Sequence, residues 1–147
     1  MDATVEPTHP SALHPAHALL MMAALPLFVG TLLCDIGYAR SYQIQWANFA
    51  SWLLAGGLFI AAFALIWAIA ELFRSRRRQG RGLVYLVLLL ATWGTGFINM
   101  LVHARDAWAS MPTAVVLSLI VTVLAGMATG VAISGLCHTC HLAGRTP

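Results

Sequence analysis

Four windows of this sequence contain no Asp, Glu, Lys or Arg: Pro7–Cys34, Ser41–Ala70, Gly82–Ala104 and Ala107–Gly144. Each is longer than the ~20 apolar residues that span the hydrocarbon core of a bilayer. The eight basic and five acidic side chains of the 147-residue chain are confined to the short segments around them. Charged residues make up 9% of the chain and hydrophobic ones 60%, whereas a soluble domain spreads about 25% charge over its surface. The pattern excludes a soluble domain, a nucleic-acid binder and a disordered tail. With three cysteines, the chain is not a disulfide-dense mini-protein either. It specifies an all-α integral membrane protein.

The spans are expected near residues 17–38, 47–73, 83–102 and 112–136. They form one four-helix bundle, with residues 1–147 as a single membrane domain. Helix 2 drawn this way is about 40 Å long at ~1.5 Å per residue, so it is expected to tilt or to project into the headgroups. Pro26 falls inside helix 1, where it is expected to kink the helix while neighbours satisfy the freed carbonyl. The first ten residues carry Asp2 and Glu6 but no basic residue. A cleaved secretory signal, which needs a basic start and a short apolar run, is therefore not expected.

Arginine sets the orientation, because the chain has no lysine. The helix 2–3 loop holds Arg74, Arg76, Arg77, Arg78 and Arg81, and the C-terminal tail adds Arg145. On the other side lie only Arg40 and Arg105. Positive residues are retained on the cytoplasmic side, so both termini are expected in the cytoplasm and the chain in a bacterial inner membrane. The arginine run reads as a topology signal with some attraction for anionic lipid. Nothing else in the chain supports nucleic-acid docking. Tyr38, Tyr42, Trp46, Trp52 and Trp108 map to the outer interface, where amphipathic rings anchor. Trp67 and Trp93 fall deeper and read as packing residues. Gly126, Gly130 and Ser134 place a strip of small side chains on one face of helix 4. Such strips permit close backbone approach, here within the chain or, as the alternative, in a homo-oligomer.

The sharpest local motif is Cys137-His138-Thr139-Cys140-His141, the spacing of a c-type haem attachment site. Covalent haem attachment belongs to the periplasmic face, whereas the arginine count puts this segment in the cytoplasm. A second reading is a transition-metal site. On a helix, Cys137, Cys140 and His141 share a face, and thiolate with imidazole suits zinc or copper. His14 and His17, at the same end of helix 1, complete that set. The third reading is a pair of reduced thiols and histidines that bind no cofactor.

The outer end has its own polar group: Asp35, Asn99, His103, Arg105 and Asp106. Charges near the membrane edge are expected to be compensated, Asp35 by Arg105 or Asp106 by Arg40. The group reads as an interhelical tie, or as a periplasmic-face site with His103 handling a proton or a metal. No ionisable residue falls at mid-membrane, which counts against a pump or a small transporter component. No phosphate-cradling glycine loop, nucleophile elbow or HExxH motif is present, so no catalytic residue is assigned.

Three segments carry a family resemblance. Leu13-His14-Pro15 leads into an apolar helix closing with Cys34-Asp35-Ile36-Gly37-Tyr38. Ile44-Gln45-Trp46-Ala47 precedes Ala50-Ser51-Trp52-Leu53-Leu54. Asn99 is followed by His103-Ala104-Arg105-Asp106-Ala107-Trp108. Together, over residues 8–135, they resemble a bacterial family of small four-helix membrane proteins, domain of unknown function 2231. The resemblance implies a multi-pass inner-membrane protein. Relatives beside or fused to periplasmic dehydrogenase-like and cytochrome-like modules imply a membrane anchor or electron-transfer partner. A histidine near the start of helix 3 in many members implies a b-type haem shared with the helix 1 histidine. Here that stretch is Leu83-Val84-Tyr85-Leu86-Val87, without a histidine. The expected function is a redox- or metal-associated accessory or anchor subunit, possessing haem, a transition metal or no cofactor. Its partner would be a periplasmic dehydrogenase or cytochrome. The alternative is a structural membrane protein without cofactor or activity.

Overall fold

The computed structural model describes residues 15–74, 80–105 and 110–143. His14, Asp106, Trp108 and Arg145 lie outside them. Four helices follow in order: α1 (Pro15–Ser41), α2 (Ile44–Arg74), α3 (Gly80–His103) and α4 (Thr113–Ala143). Each packs against two others, in the ring α1–α2–α3–α4, so the chain runs up, down, up and down. All four contain a segment long and apolar enough to cross a membrane.

Except at the start of α4, the helices run past the expected bounds. α2 has 31 residues, about 46 Å at ~1.5 Å per residue, against a bilayer core of about 30 Å. The first turn of α2 begins at Ile44 because α1 ends sharply. Tyr42 adopts a left-handed φ of 52°, and its N–H donates to Tyr38 O at 2.8 Å. This is the geometry that caps a helix C-terminus. The Ser41 hydroxyl bonds Gly37 O and receives the Gln43 N–H. α1 continues through Pro26, and α4 carries its helical backbone through Cys137, Cys140 and His141.

The core explains the bundle. Buried positions recur at alternating steps of three and four in every helix: Met21, Ala24, Phe28, Thr31, Asp35 and Tyr38 in α1; Ala50, Leu54, Gly57, Ala61, Ala64 and Ala68 in α2. The matching series are Tyr85, Leu89, Thr92, Gly96 and Asn99 in α3, and Ala114, Ser118, Val121, Ala125, Ala128 and Ala132 in α4. That spacing is the seam of a bundle with knobs-into-holes packing. Alanine and glycine dominate it, while Leu19, Trp52, Phe59, Ile66 and Phe73 point outward. A large apolar exterior over a small-residue seam suits lipid, where close backbone approach, not hydrophobic exclusion, drives helices together.

Two glycines show how close the approach is. A Cβ at Gly57 would stand 2.8 Å from the Phe28 ring, and one at Gly96 would stand 2.7 Å from Leu58. The Gly126–Gly130–Ser134 strip, expected inside the bundle, is not at a helix contact. A Cβ at Gly126 or Gly130 would meet nothing within 4 Å, and Gly130 and Ser134 are exposed. The alanine series of α4, one step round the helix, makes the packing contact instead.

Candidate functional site

The ionisable residues buried in the bundle gather at its two ends. At the end of the α1–α2 connection, three helices contribute. Asp35 of α1 is fully buried. His103, in the last turn of α3, places Nε2 2.8 Å from Asp35 Oδ1 and Nδ1 3.0 Å from Asn99 O. Ser118 of α4 donates to Asp35 Oδ2, and Asn99 Nδ2 donates to Ser118 Oγ at 2.8 Å. The network reads Asn99 to Ser118 to Asp35, closed by His103.

Donor and acceptor counting fixes the chemistry of this network. The Nδ1–H of His103 is spent on a carbonyl, so a single proton lies between Nε2 and Oδ1. It makes either an imidazolium–carboxylate pair or a neutral pair, and the net charge is zero in both. A carboxylate this deep needs such a partner, since an uncompensated charge costs several kcal/mol. The partner is His103 and not Arg105, as the sequence suggested. His103 lies one turn after Asn99 on the seam, whereas Arg105 follows the helix end and is exposed. Asn99 Oδ1 is buried without a hydrogen-bond partner among the described residues.

The network opens on a cleft of about 490 Å³ lined by Gln45, Asn48, Ser51, His103, Arg105 and Ser110, with Ile44 and Ala47. The first two turns of α2 form one wall, and the end of α3 the other. His103 therefore has one side in the buried network and one on the cleft. Its side chain is only 3% exposed.

The opposite end, toward the α2–α3 connection, holds a second pair. His17 of α1 is fully buried, with Nε2 3.2 Å from Glu71 Oε2. Trp67 donates its indole N–H to Glu71 Oε1 at 3.1 Å, so Trp67 is a hydrogen-bonding residue as well as a packing one. The rings of Trp67 and Tyr85 meet His17 edge-on at 5.6 and 5.4 Å. The Tyr85 hydroxyl is buried without a partner among the described residues.

This arrangement bears on the cofactor readings. Tyr85 occupies the stretch of α3 where the resemblance implies a histidine, and its ring fills the space against His17. With Nε2 of His17 committed to Glu71, these residues do not fit a bis-histidine haem between α1 and α3. Among the described residues, no three His, Cys, Asp or Glu side chains converge as metal ligands. His14 and the side chains of Cys137, Cys140 and His141 lie outside the described residues, so the metal set and the haem-attachment reading rest on spacing alone. Cys34 is a buried free thiol beside Asp35.

Of the outer group expected from sequence, the structure brings together Asp35, Asn99 and His103. It leaves Arg105 on the cleft rim, and Asp106 is outside the described residues. Ser118 was missed, as were Glu71 and Tyr85 as partners of His17. The signal for all three was the three-four seam: Ser118 follows Ala114 by four on it, and Glu71 follows Ala68 by three.

These features define a class: a small helical bundle with four apolar spans of bilayer length and polar ties at both ends. The chain belongs to the family described as predicted membrane protein (DUF2231), which matches it over residues 13–134. No curated protein and no solved structure matches the chain.

Proposed function

We propose that this protein is an accessory or anchor subunit of the bacterial inner membrane whose working surface is the cleft at the Asp35–His103 end. The single observation that supports it is the opening of a buried, proton-sharing His–Asp pair onto an accessible polar cleft. At the other end His17 is fully buried against the rings of Trp67 and Tyr85, and its partner Glu71 is part-exposed. The arginine distribution supports placing the cleft on the periplasmic side, with both termini in the cytoplasm. A redox-coupled form of the role, with a periplasmic dehydrogenase or cytochrome as partner, draws its partner class from the family resemblance. In that role the chain's own residues position the partner at the headgroup level, with the His103–Asp35 pair holding its shared proton behind the cleft.

The test is purification of the tagged protein from its native membranes in mild detergent. The expected result is a co-purifying redox chromophore or dye-linked dehydrogenase activity, diminished by Asn48→Trp, which fills the cleft. A preparation with no Soret band, no stoichiometric iron, copper or zinc and no such activity contradicts the redox role. The alternative, a structural membrane protein, is favoured by one observation: both buried histidines are engaged in interhelical contacts.

A further inference from the structure

We infer that the cleft binds a phosphate group, presented by a lipid headgroup or by a soluble ligand. The inference rests on reading the cleft as the working surface and adds its ligand class. Among the described residues, the lining carries cationic and amide donors and no carboxylate. Arg105 stands on it, exposed and with no ion-pair partner among the described residues. The amides of Gln45 and Asn48 face it from the first two turns of α2. Ser51 is an acceptor only, because its hydroxyl is donated to Ala47 O at 2.9 Å.

Asp35, the described acid that touches a lining residue, is withdrawn from the cleft by His103 and Ser118. With the Asp35 charge compensated, the guanidinium of Arg105 is the uncompensated charge among the described lining residues. The start of α2 reinforces it: its first turn holds no acidic residue. The N–H groups of Ile44 and Gln45 have no hydrogen-bond partner among the described residues. Helix N-termini present such donors with a partial positive charge, which favours an anion.

Arg105 on one wall and the α2 donors on the other approach an anion from two sides, which suits the several oxygens of a phosphate. The volume, about 490 Å³, admits more than the phosphate alone. The cleft lies where a bilayer spanned by these helices would place its headgroups.

The experiment uses the full chain, purified in detergent, with two probes. Inorganic phosphate is titrated calorimetrically, and phosphatidylglycerol retention is counted by native mass spectrometry after delipidation and re-addition. Arg105→Gln and Asn48→Leu are the site variants, both at exposed positions, with helix content checked by circular dichroism. Arg40→Gln is the control for charge at the same end, since Arg40 does not line the cleft. Saturable binding of either probe at one per chain, weakened at least tenfold by the site variants and unchanged in Arg40→Gln, supports the inference. Binding of phosphate itself indicates a soluble ligand; retention of phosphatidylglycerol alone indicates a lipid headgroup. The inference is overturned if neither probe binds saturably, or if Arg40→Gln weakens binding as much as Arg105→Gln. Failure here leaves partner docking at the cleft standing, and loss of the co-purifying partner leaves phosphate binding standing.

Discussion

Asp35 and Glu71 are both carboxylates paired with a histidine, yet their surroundings assign them different weights. Asp35 is fully buried and its His103 partner nearly so, whereas the Glu71 side chain is 39% exposed. Removing one member of a buried pair strands the other without solvent and costs about 3–5 kcal/mol. Glu71 keeps contact with solvent, so although His17 is fully buried the pair is screened and worth less. Asp35→Asn is therefore expected to lower unfolding stability in detergent several-fold more than Glu71→Gln. A double-mutant cycle of Asp35→Asn with His103→Gln is expected to show a coupling of about 1–3 kcal/mol, measured by denaturant titration of helix content. Equal, small effects at both carboxylates would remove the physical distinction between the two ends. Ser118→Ala, which deletes one neutral donor in a membrane bundle, is expected to cost about 0.6–1.7 kcal/mol.

Among the elements, the helices were the most legible part of the chain. The apolar windows located four of them, because a charge within a span is costly enough to be read by its absence. Their ends were less legible. Tyr42 supplies the left-handed cap of α1, a conformation more usual for glycine, so no turn residue marked it. The packing face of α4 was misread for a related reason. Gly126 and Gly130 are the smallest residues on the helix, but the seam is set by the three-four recurrence that carries Ala125, Ala128 and Ala132. The glycine distinction is testable. Gly57→Ala drives a Cβ against the fully buried Phe28 ring and is expected to cost about 1–3 kcal/mol. Gly130→Ala enters open space and is expected to be neutral or to stabilise by about 0.5–1 kcal/mol. Thermal unfolding of the two variants in detergent separates them. A loss at Gly130→Ala comparable to that at Gly57→Ala would show that the α4 strip is a contact after all.

At the scale of the whole molecule, the ring of four helices brings together residues that are far apart in sequence. Asp35 and Ser118 meet because α1 and α4 are neighbours, and His17 meets Glu71 because α2 returns to the end where α1 begins. The outer group was legible as a cluster of polar residues at span ends, but its pairing was not, since pairing depends on which seam positions face each other. The metal set of His14, His17, Cys137, Cys140 and His141 came from spacing within single helices. In the structure His17 contacts Glu71 of α2 and Tyr85 of α3, and the side chains of the other four members lie outside the described residues. Orientation is read from arginine: a reporter fused after residue 147 is expected to be active in the cytoplasm, and periplasmic activity would make haem attachment the leading reading of Cys137, Cys140 and His141.

The placement of the cleft on the outer surface is the claim on which the functional reading depends, and thiol labelling tests it most directly. In a chain with Cys34, Cys137 and Cys140 replaced by Ser, Asn48→Cys lines the cleft and Gly80→Cys opens α3 at the other end; both positions are exposed. With a membrane-impermeant maleimide applied to intact spheroplasts, Asn48→Cys is expected to label and Gly80→Cys to label only after lysis. Labelling of Gly80→Cys in intact spheroplasts, with Asn48→Cys protected until lysis, would contradict the account.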